Sequence, residues 1–173
     1  TSIIYLEPFA GRNLAAFGYD MFSEPTRRRA MQSAVARNAT SITGKVKLVQ
    51  ETHGTEQAGF LMYVPVFHHN VPLLTASDRW RALRGFVYSP YRVGDLMQGI
   101  LGGSDRVVDF TLHDGGAAAA NTQMYDSGDA HASERTKPAI RQAVRHIQAY
   151  GHTWTLTVRS RPAFEAQFAT SLD

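Results

Sequence analysis

GYDMFSEPTRRRAMQSAVARNA, residues 18–39, joins an acidic residue in apolar surroundings to a strongly signalled helix start. Ser23 precedes Glu24-Pro25, where a side-chain oxygen can accept from an orphan backbone N–H and an early proline costs no hydrogen bond. The spacing predicts a helix from Glu24 to Arg37. Ala30, Met31, Ala34 and Val35 fall on one apolar face, with Arg27, Arg28, Gln32 and Arg37 mostly on the polar side. Asp20, just before the helix, has two readings. Either its carboxylate accepts backbone N–H groups and fixes the corner into the helix, or it is the polar anchor of a mostly apolar ligand pocket.

On either side of this stretch the chain reads as short strands with a few helices. Upstream, Ser2–Leu6 and Ala15–Asp20 are expected strands, with a loop or single helical turn over Glu7–Asn13. Downstream, strands are expected at Ser41–Thr43 and Lys45–Glu51. GFLMYVPVF, residues 59–67, follows as a central strand apolar on both faces, with Pro65 marking an irregularity near its end. Residues 68–80 are expected to loop over the surface before a strand at Ala82–Ser89. Val93, Leu96 and Ile100 then mark a short helix closing at Gly102-Gly103.

In the second half, Arg106–Leu112 and Asn121–Tyr125 are expected strands and Asp126–Lys137 a loop. Pro138 is expected to open a helix with an Ile140, Val144, Ile147 stripe. HTWTLTVRS, residues 152–160, alternates as a strand, and Ala163–Thr170 is an expected helix. Without regular strand–helix alternation, the fold class is α+β with mainly antiparallel sheet.

The 173 residues, 43% hydrophobic and 19% charged, suit one or two small globular domains. A net charge of +3, with basic residues clustered only at Arg27-Arg28-Arg29, does not describe a nucleic-acid-binding surface. The absence of cysteine excludes disulfides, thiolate metal sites and a cysteine nucleophile. No apolar run reaches the roughly 20 residues that cross a bilayer. The start at a predicted strand reads as a cut from a longer protein, with any membrane segment outside. His68-His69 lacks a third ligand at a metal-binding spacing. No phosphate loop, GxSxG elbow or HExxH motif is present, so no enzyme, metal or cofactor is expected.

Three stretches, IYLEPFAGRNLAAFGYDMFSEPTRRRAMQSA, KLVQETHGTEQAGFLMYVPVF and LRGFVYSPYRVGDLMQGIL, occur in an order and spacing that resembles the CHASE domain. This family comprises extracytoplasmic sensor modules of membrane histidine kinases and nucleotide cyclases, and includes the sensor domains of plant cytokinin receptors. The match covers about residues 4–101, with DFTLHDGG, MYDSG and WTLTVRSRPAFE resembling the family's second lobe more weakly.

The resemblance implies two tandem PAS-like lobes without the N-terminal stalk helix: a membrane-distal, ligand-binding lobe over residues 1–103 and a membrane-proximal lobe over 104–173. It implies a periplasmic location, a membrane-anchored full-length protein that pairs through the stalk, and a small-molecule partner, an adenine derivative in the cytokinin receptors. By position, Asp20 matches the acid that binds adenine there. Ile42, Leu48, Thr52, Phe60, Tyr63, Phe86 and Tyr88 are the other expected ligand-binding residues. The plant receptors carry small glycines where this chain has Val87-Tyr88-Ser89-Pro90, the form of bacterial members. The rival expectation is an interaction module whose first lobe is filled by its own side chains.

Overall fold

The helix predicted around Pro25 forms, but a different residue caps it. α1 runs from Pro25 to Arg37, and the Glu24 carboxylate accepts from the Thr26 and Arg27 N–H groups at 2.8 Å each. Ser23, the expected cap, instead donates its hydroxyl to the Asp20 carbonyl at 2.7 Å. With proline at the first helical position, the first free N–H groups lie at Thr26 and Arg27. The longer glutamate side chain spans both. Asn38, in the left-handed region at φ 48°, ends the helix.

Partial burial pushes the Glu24 carboxyl up, but the two N–H donors outweigh it and hold it below its ordinary value of 4.5. A folded-state value below the unfolded one contributes stability that is present above pH 4.5 and is lost as pH falls through the lowered value. Glu24→Ala is therefore expected to cost about 1 kcal/mol at neutral pH. The melting-temperature gap between wild type and Glu24→Ala should narrow on acidification. A gap independent of pH would mean that the carboxylate charge is not what caps α1.

The computed structural model describes residues 1–48, 57–101, 107–128, 139 and 141–169. Two units divide the chain: Thr1–Val93 with Ala149–His152, and Gly94–Gln148 with Thr153–Asp173. The expected lobe boundary at 103/104 lies outside the described residues, as do the glycines expected to close the helix before it.

In the first unit, β1 (Ser41–Ile42), β2 (Gly59–Phe67) and β3 (Leu83–Arg92) form an antiparallel sheet in that order. Tyr63 pairs with Tyr88, Pro65 with Phe86 and Leu61 with Pro90, so these side chains share one face. Pro90, expected to break β3, sits within it. The irregularity expected near Pro65 falls at Val66/Phe67. Beyond β1 the ladder continues through a side chain: the Thr43 N–H donates to the Leu61 carbonyl, and the Leu61 N–H donates to Thr43 Oγ1 at 3.0 Å. Val46 then bridges Gly59, but Lys47 and Leu48 are not in a strand, and residues 49–51 of the expected strand lie outside the described residues. Ala30, Met31 and Ala34 of α1 meet Leu61, Tyr63, Val46 and Leu48 in the core.

Three expectations fail in this unit. The upstream strands reduce to one bridge, Ser2 to Asp20, with a 3₁₀ helix over Gly11–Ala16. Ile3 and Ala16 are individually anchored in the core, and Gly18, at φ 78°, turns the chain before an extended run can form. Within the expected 68–80 loop, a Thr75–Asp78 capping box opens α2 (Ala76–Ala82). Arg79 of α2 donates to the Val35 and Ala36 carbonyls at the end of α1, partners 44 and 43 residues away. Arg27, expected on a polar face, is 4% exposed. Its Nη1 and Nη2 donate to Tyr19 Oη and the Lys47 carbonyl, both at 2.8 Å.

α3 (Val93–Leu101) begins where the first segment of the first unit ends. In the second unit, β4 (Val108–Asp114), β5 (Gln123–Asp126), β6 (Gln142–Ala149) and β7 (His152–Ser160) form a sheet of order β5-β4-β7-β6, and α4 (Pro162–Ala169) follows. The helix expected after Pro138 is instead the edge strand β6. Its 3.6-residue stripe is overridden by β7 and by a turn in which Tyr150 and Gly151 both have positive φ, suited to a two-residue hairpin. Ser127 repeats the device of Thr43: its N–H donates to the Phe110 carbonyl, and its Oγ accepts from the Phe110 N–H at 2.9 Å. Two separate antiparallel sheets with few helices make the α+β, two-lobed organisation expected.

Candidate ligand-binding site

The face shared by Tyr63, Phe86 and Tyr88 forms one wall of a cavity of about 600 Å³ in the first unit. β2 and β3 hold this wall in place because the three rings sit at facing register positions. Tyr63 meets Phe86 edge-on at a centroid distance of 6.0 Å and Tyr88 at 6.1 Å, tilted by 35°. Met31 of α1 and Met21 just before it supply adaptable apolar surface. Residues 1–7, with Asn13, add a wall of irregular chain. Arg84 and Glu7 are the charged residues on the lining, and the Tyr5 hydroxyl donates to Glu7 at 3.4 Å.

Tyr63 is 1% exposed, and its hydroxyl donates only to the Met21 sulfur, at 3.6 Å. The Tyr88 hydroxyl is buried with no hydrogen-bond partner among the described residues. Burial pushes both phenols up, against a smaller opposing pull from the Arg27 charge, so both stay neutral donors at physiological pH. A mostly apolar cavity carrying a few under-used polar groups has the composition of a small-molecule site.

The other expected binding residues sit elsewhere. Ile42 is buried opposite Met62 on β1. Leu48 is buried against Gly59, where an added Cβ would stand 2.7 Å from the Leu48 Cγ. Phe60 stacks on Tyr91 at 5.0 Å, on the face of β2 opposite Tyr63. Thr52 lies outside the described residues. Asp20 is half exposed and is not on the cavity wall. Its carboxylate accepts from the Thr1 hydroxyl at 2.8 Å and the Phe22 N–H at 3.0 Å, and these bonds lower its pKa. Asp20 thus fixes the corner into α1 and ties down the segment that walls the cavity.

Met21, Met31 and residues 1–7 were not expected at the site. The spacing of Arg27 and Met31, one helical turn apart, was the available signal for a second, helical wall. His68 and His69 are exposed, and among the described residues no group of three or more His, Cys, Asp or Glu side chains could hold an ion.

A family model, the CHASE domain, matches residues 1–125 of the 173. The chain belongs to the CHASE family. CHASE domains are extracytoplasmic sensor domains of signalling receptors, not catalytic modules. The match takes in the whole cavity wall and both partners of the β2–β3 register that builds it. No curated relative matches the chain. Among the described residues no helix of this CHASE domain is long and apolar enough to cross a membrane.

Proposed function

We propose that this CHASE domain is the periplasmic input module of a membrane-anchored receptor and binds a small molecule in the first-unit cavity. The observation that carries the reading is the 600 Å³ cavity walled by Tyr63, Phe86 and Tyr88, within the usual volume range of ligand sites. Pairing of two receptor chains and a kinase or cyclase output belong to the same proposal, on the strength of family membership. Adenine derivatives are the first ligands to test, since family resemblance points to them. Asp20 stands off the wall, so such a ligand would be held by the aromatic wall.

A ligand that binds only the folded state at a hundredfold excess over its Kd stabilises it by about 2.7 kcal/mol. Melting curves against purines and small aromatic metabolites are expected to yield at least one compound that raises the melting temperature of wild type but not of Phe86→Ala. Asp20→Asn should leave that shift nearly intact, because asparagine still accepts from the Phe22 N–H. Loss of the shift in Asp20→Asn would return Asp20 to the binding contacts. A broad panel without any shift would favour a domain that works through protein contacts alone.

A further inference from the structure

Within reach of the aromatic wall lies a buried charge with no ion pair among the described residues. Arg27 is 4% exposed, and among the described residues no carboxylate comes within ion-pair distance of its guanidinium. It donates to a phenol and a backbone carbonyl and lies 5.1 Å from the centroid of the Tyr19 ring, while the Glu24 carboxylate, beyond ion-pair distance, is a weaker influence. Its Nε–H is buried without an acceptor. A buried cation is costly to maintain without a counter-charge. A lone strut to the Lys47 carbonyl would not require a guanidinium.

The unused hydrogen-bonding capacity is concentrated around it. Arg27 lies one helical turn before Met31, which lines the cavity. The two phenols influenced by its charge, Tyr63 and Tyr88, are both wall residues, and neither hydroxyl has an oxygen or nitrogen partner. Among the described residues the Arg27 Nε–H and the Tyr88 O–H therefore lack an acceptor, and the Tyr63 O–H has only the Met21 sulfur. Two donors without an acceptor and a third on a weak thioether, beside a lining of methionines and rings, are complementary to an anion on an apolar body. Arg84 adds a second positive charge to the lining, and Glu7, the acidic lining residue, already accepts from Tyr5.

Resting on the reading of this cavity as the ligand site, we propose that its ligand is a small aromatic or aliphatic carboxylic acid. The apolar body lies between Phe86, Met21 and Met31. The carboxylate is received by the Tyr88 hydroxyl and the Arg27 guanidinium, whose planar N–H edge suits a carboxylate. Tyr63 completes the polar end. Arg27 is not on the cavity wall, so the proposed bound state requires the lining to shift until the guanidinium meets the ligand.

The test uses the whole chain with matched probes that differ only in charge: phenylacetate against phenylacetamide and indole-3-acetate against indole-3-acetamide. Binding is read by calorimetry and melting temperature. The acids are expected to bind wild type at least about tenfold more tightly than the amides, the range of a charge-assisted hydrogen bond. Tyr88→Phe should weaken the acids about tenfold and leave the amides unchanged. Arg27→Met, which replaces the buried charge by an apolar side chain of similar length, should weaken the acids about a hundredfold. If Arg27→Met does not fold, Tyr88→Phe and the acid–amide contrast decide. Amides that bind as well as the acids, or acids that bind Tyr88→Phe as tightly as wild type, would overturn the proposal while leaving the cavity as a site for neutral ligands. Absence of binding by every probe would overturn the acid and, together with a silent purine panel, the cavity reading as well.

Discussion

Tyr63→Ala is expected to destabilise the first unit by about 3–5 kcal/mol, the usual cost of truncating a buried aromatic ring to alanine. Tyr63 is 1% exposed, touches the Phe86 and Tyr88 rings and belongs to the core cluster that α1 packs against. Removing it would enlarge the existing cavity and leave the opposing methionines without a wall. Because small domains are stable by only about 5–15 kcal/mol, a loss of this size brings the unit close to unfolding at physiological temperature. Tyr63→Phe isolates the hydroxyl. That hydroxyl has only the weak sulfur contact at 3.6 Å, so folding should change by less than about 1 kcal/mol. Urea melts of the two variants give the comparison. A Phe variant as unstable as the Ala variant would mean that the hydroxyl holds the fold, and would remove it from the groups left over for a ligand.

The second large effect is expected at Thr43, where a side-chain oxygen stands in for a strand carbonyl. Thr43→Val keeps the volume and the β-branch but removes the acceptor of the Leu61 N–H, leaving a buried donor unsatisfied. The expected loss is about 1–3 kcal/mol. Thr43→Ser, which keeps the oxygen, should lose less than Thr43→Val. Ser127→Ala tests the same device in the second unit, since it removes the acceptor of the Phe110 N–H. With one sheet per unit, hydrogen exchange should report the Thr43 change in amides of β1 and β2 and the Ser127 change in amides of β4 and β5. Equal loss of protection across both sheets from either change would show that the two units unfold together.

These hydroxyls also show where reading the sequence stops. α1 was legible because an early proline and a four-residue apolar face agree on thirteen residues. β2 and β7 were legible because long runs leave little choice of period. Ser2–Leu6 and Ala15–Asp20 were misread because a few apolar residues anchor equally well from an irregular chain. β6 was misread because Val144 and Ile147 fit a helical stripe, while the partner strand that decides the matter lies beyond the turn at Tyr150-Gly151. The α2 capping box, Thr75 to Asp78, stood in the sequence and was outweighed by nearby proline and polar residues.

At the site, the strand period puts Phe86 and Tyr88 on one face, and the antiparallel register brings Tyr63 beside them. The opposite wall had no such rule. Residues 1–7 are placed by single contacts, and Arg27 is drawn inside by a hydroxyl eight residues away and a backbone carbonyl twenty residues away. A backbone carbonyl leaves no trace in the identity of the residue that carries it.

The cavity also has two halves of unequal cohesion. The sheet and α1 are held by ladders and by core packing. Residues 1–7 are held by Ile3 in the core and Leu6 packed against it, by two backbone hydrogen bonds, both to Ile3, and by Asp20 at Thr1, while among the described residues nothing accepts from the N–H groups of Ile4 to Glu7. Ligand escape therefore needs only local fraying of this strand-like hem, not unfolding of the unit. Under the proposed function, residence time should respond to substitutions at Ser2, Ile3 or Asp20 that loosen this segment. An outward pull on the same segment is then expected to shorten the time a ligand stays in the cavity.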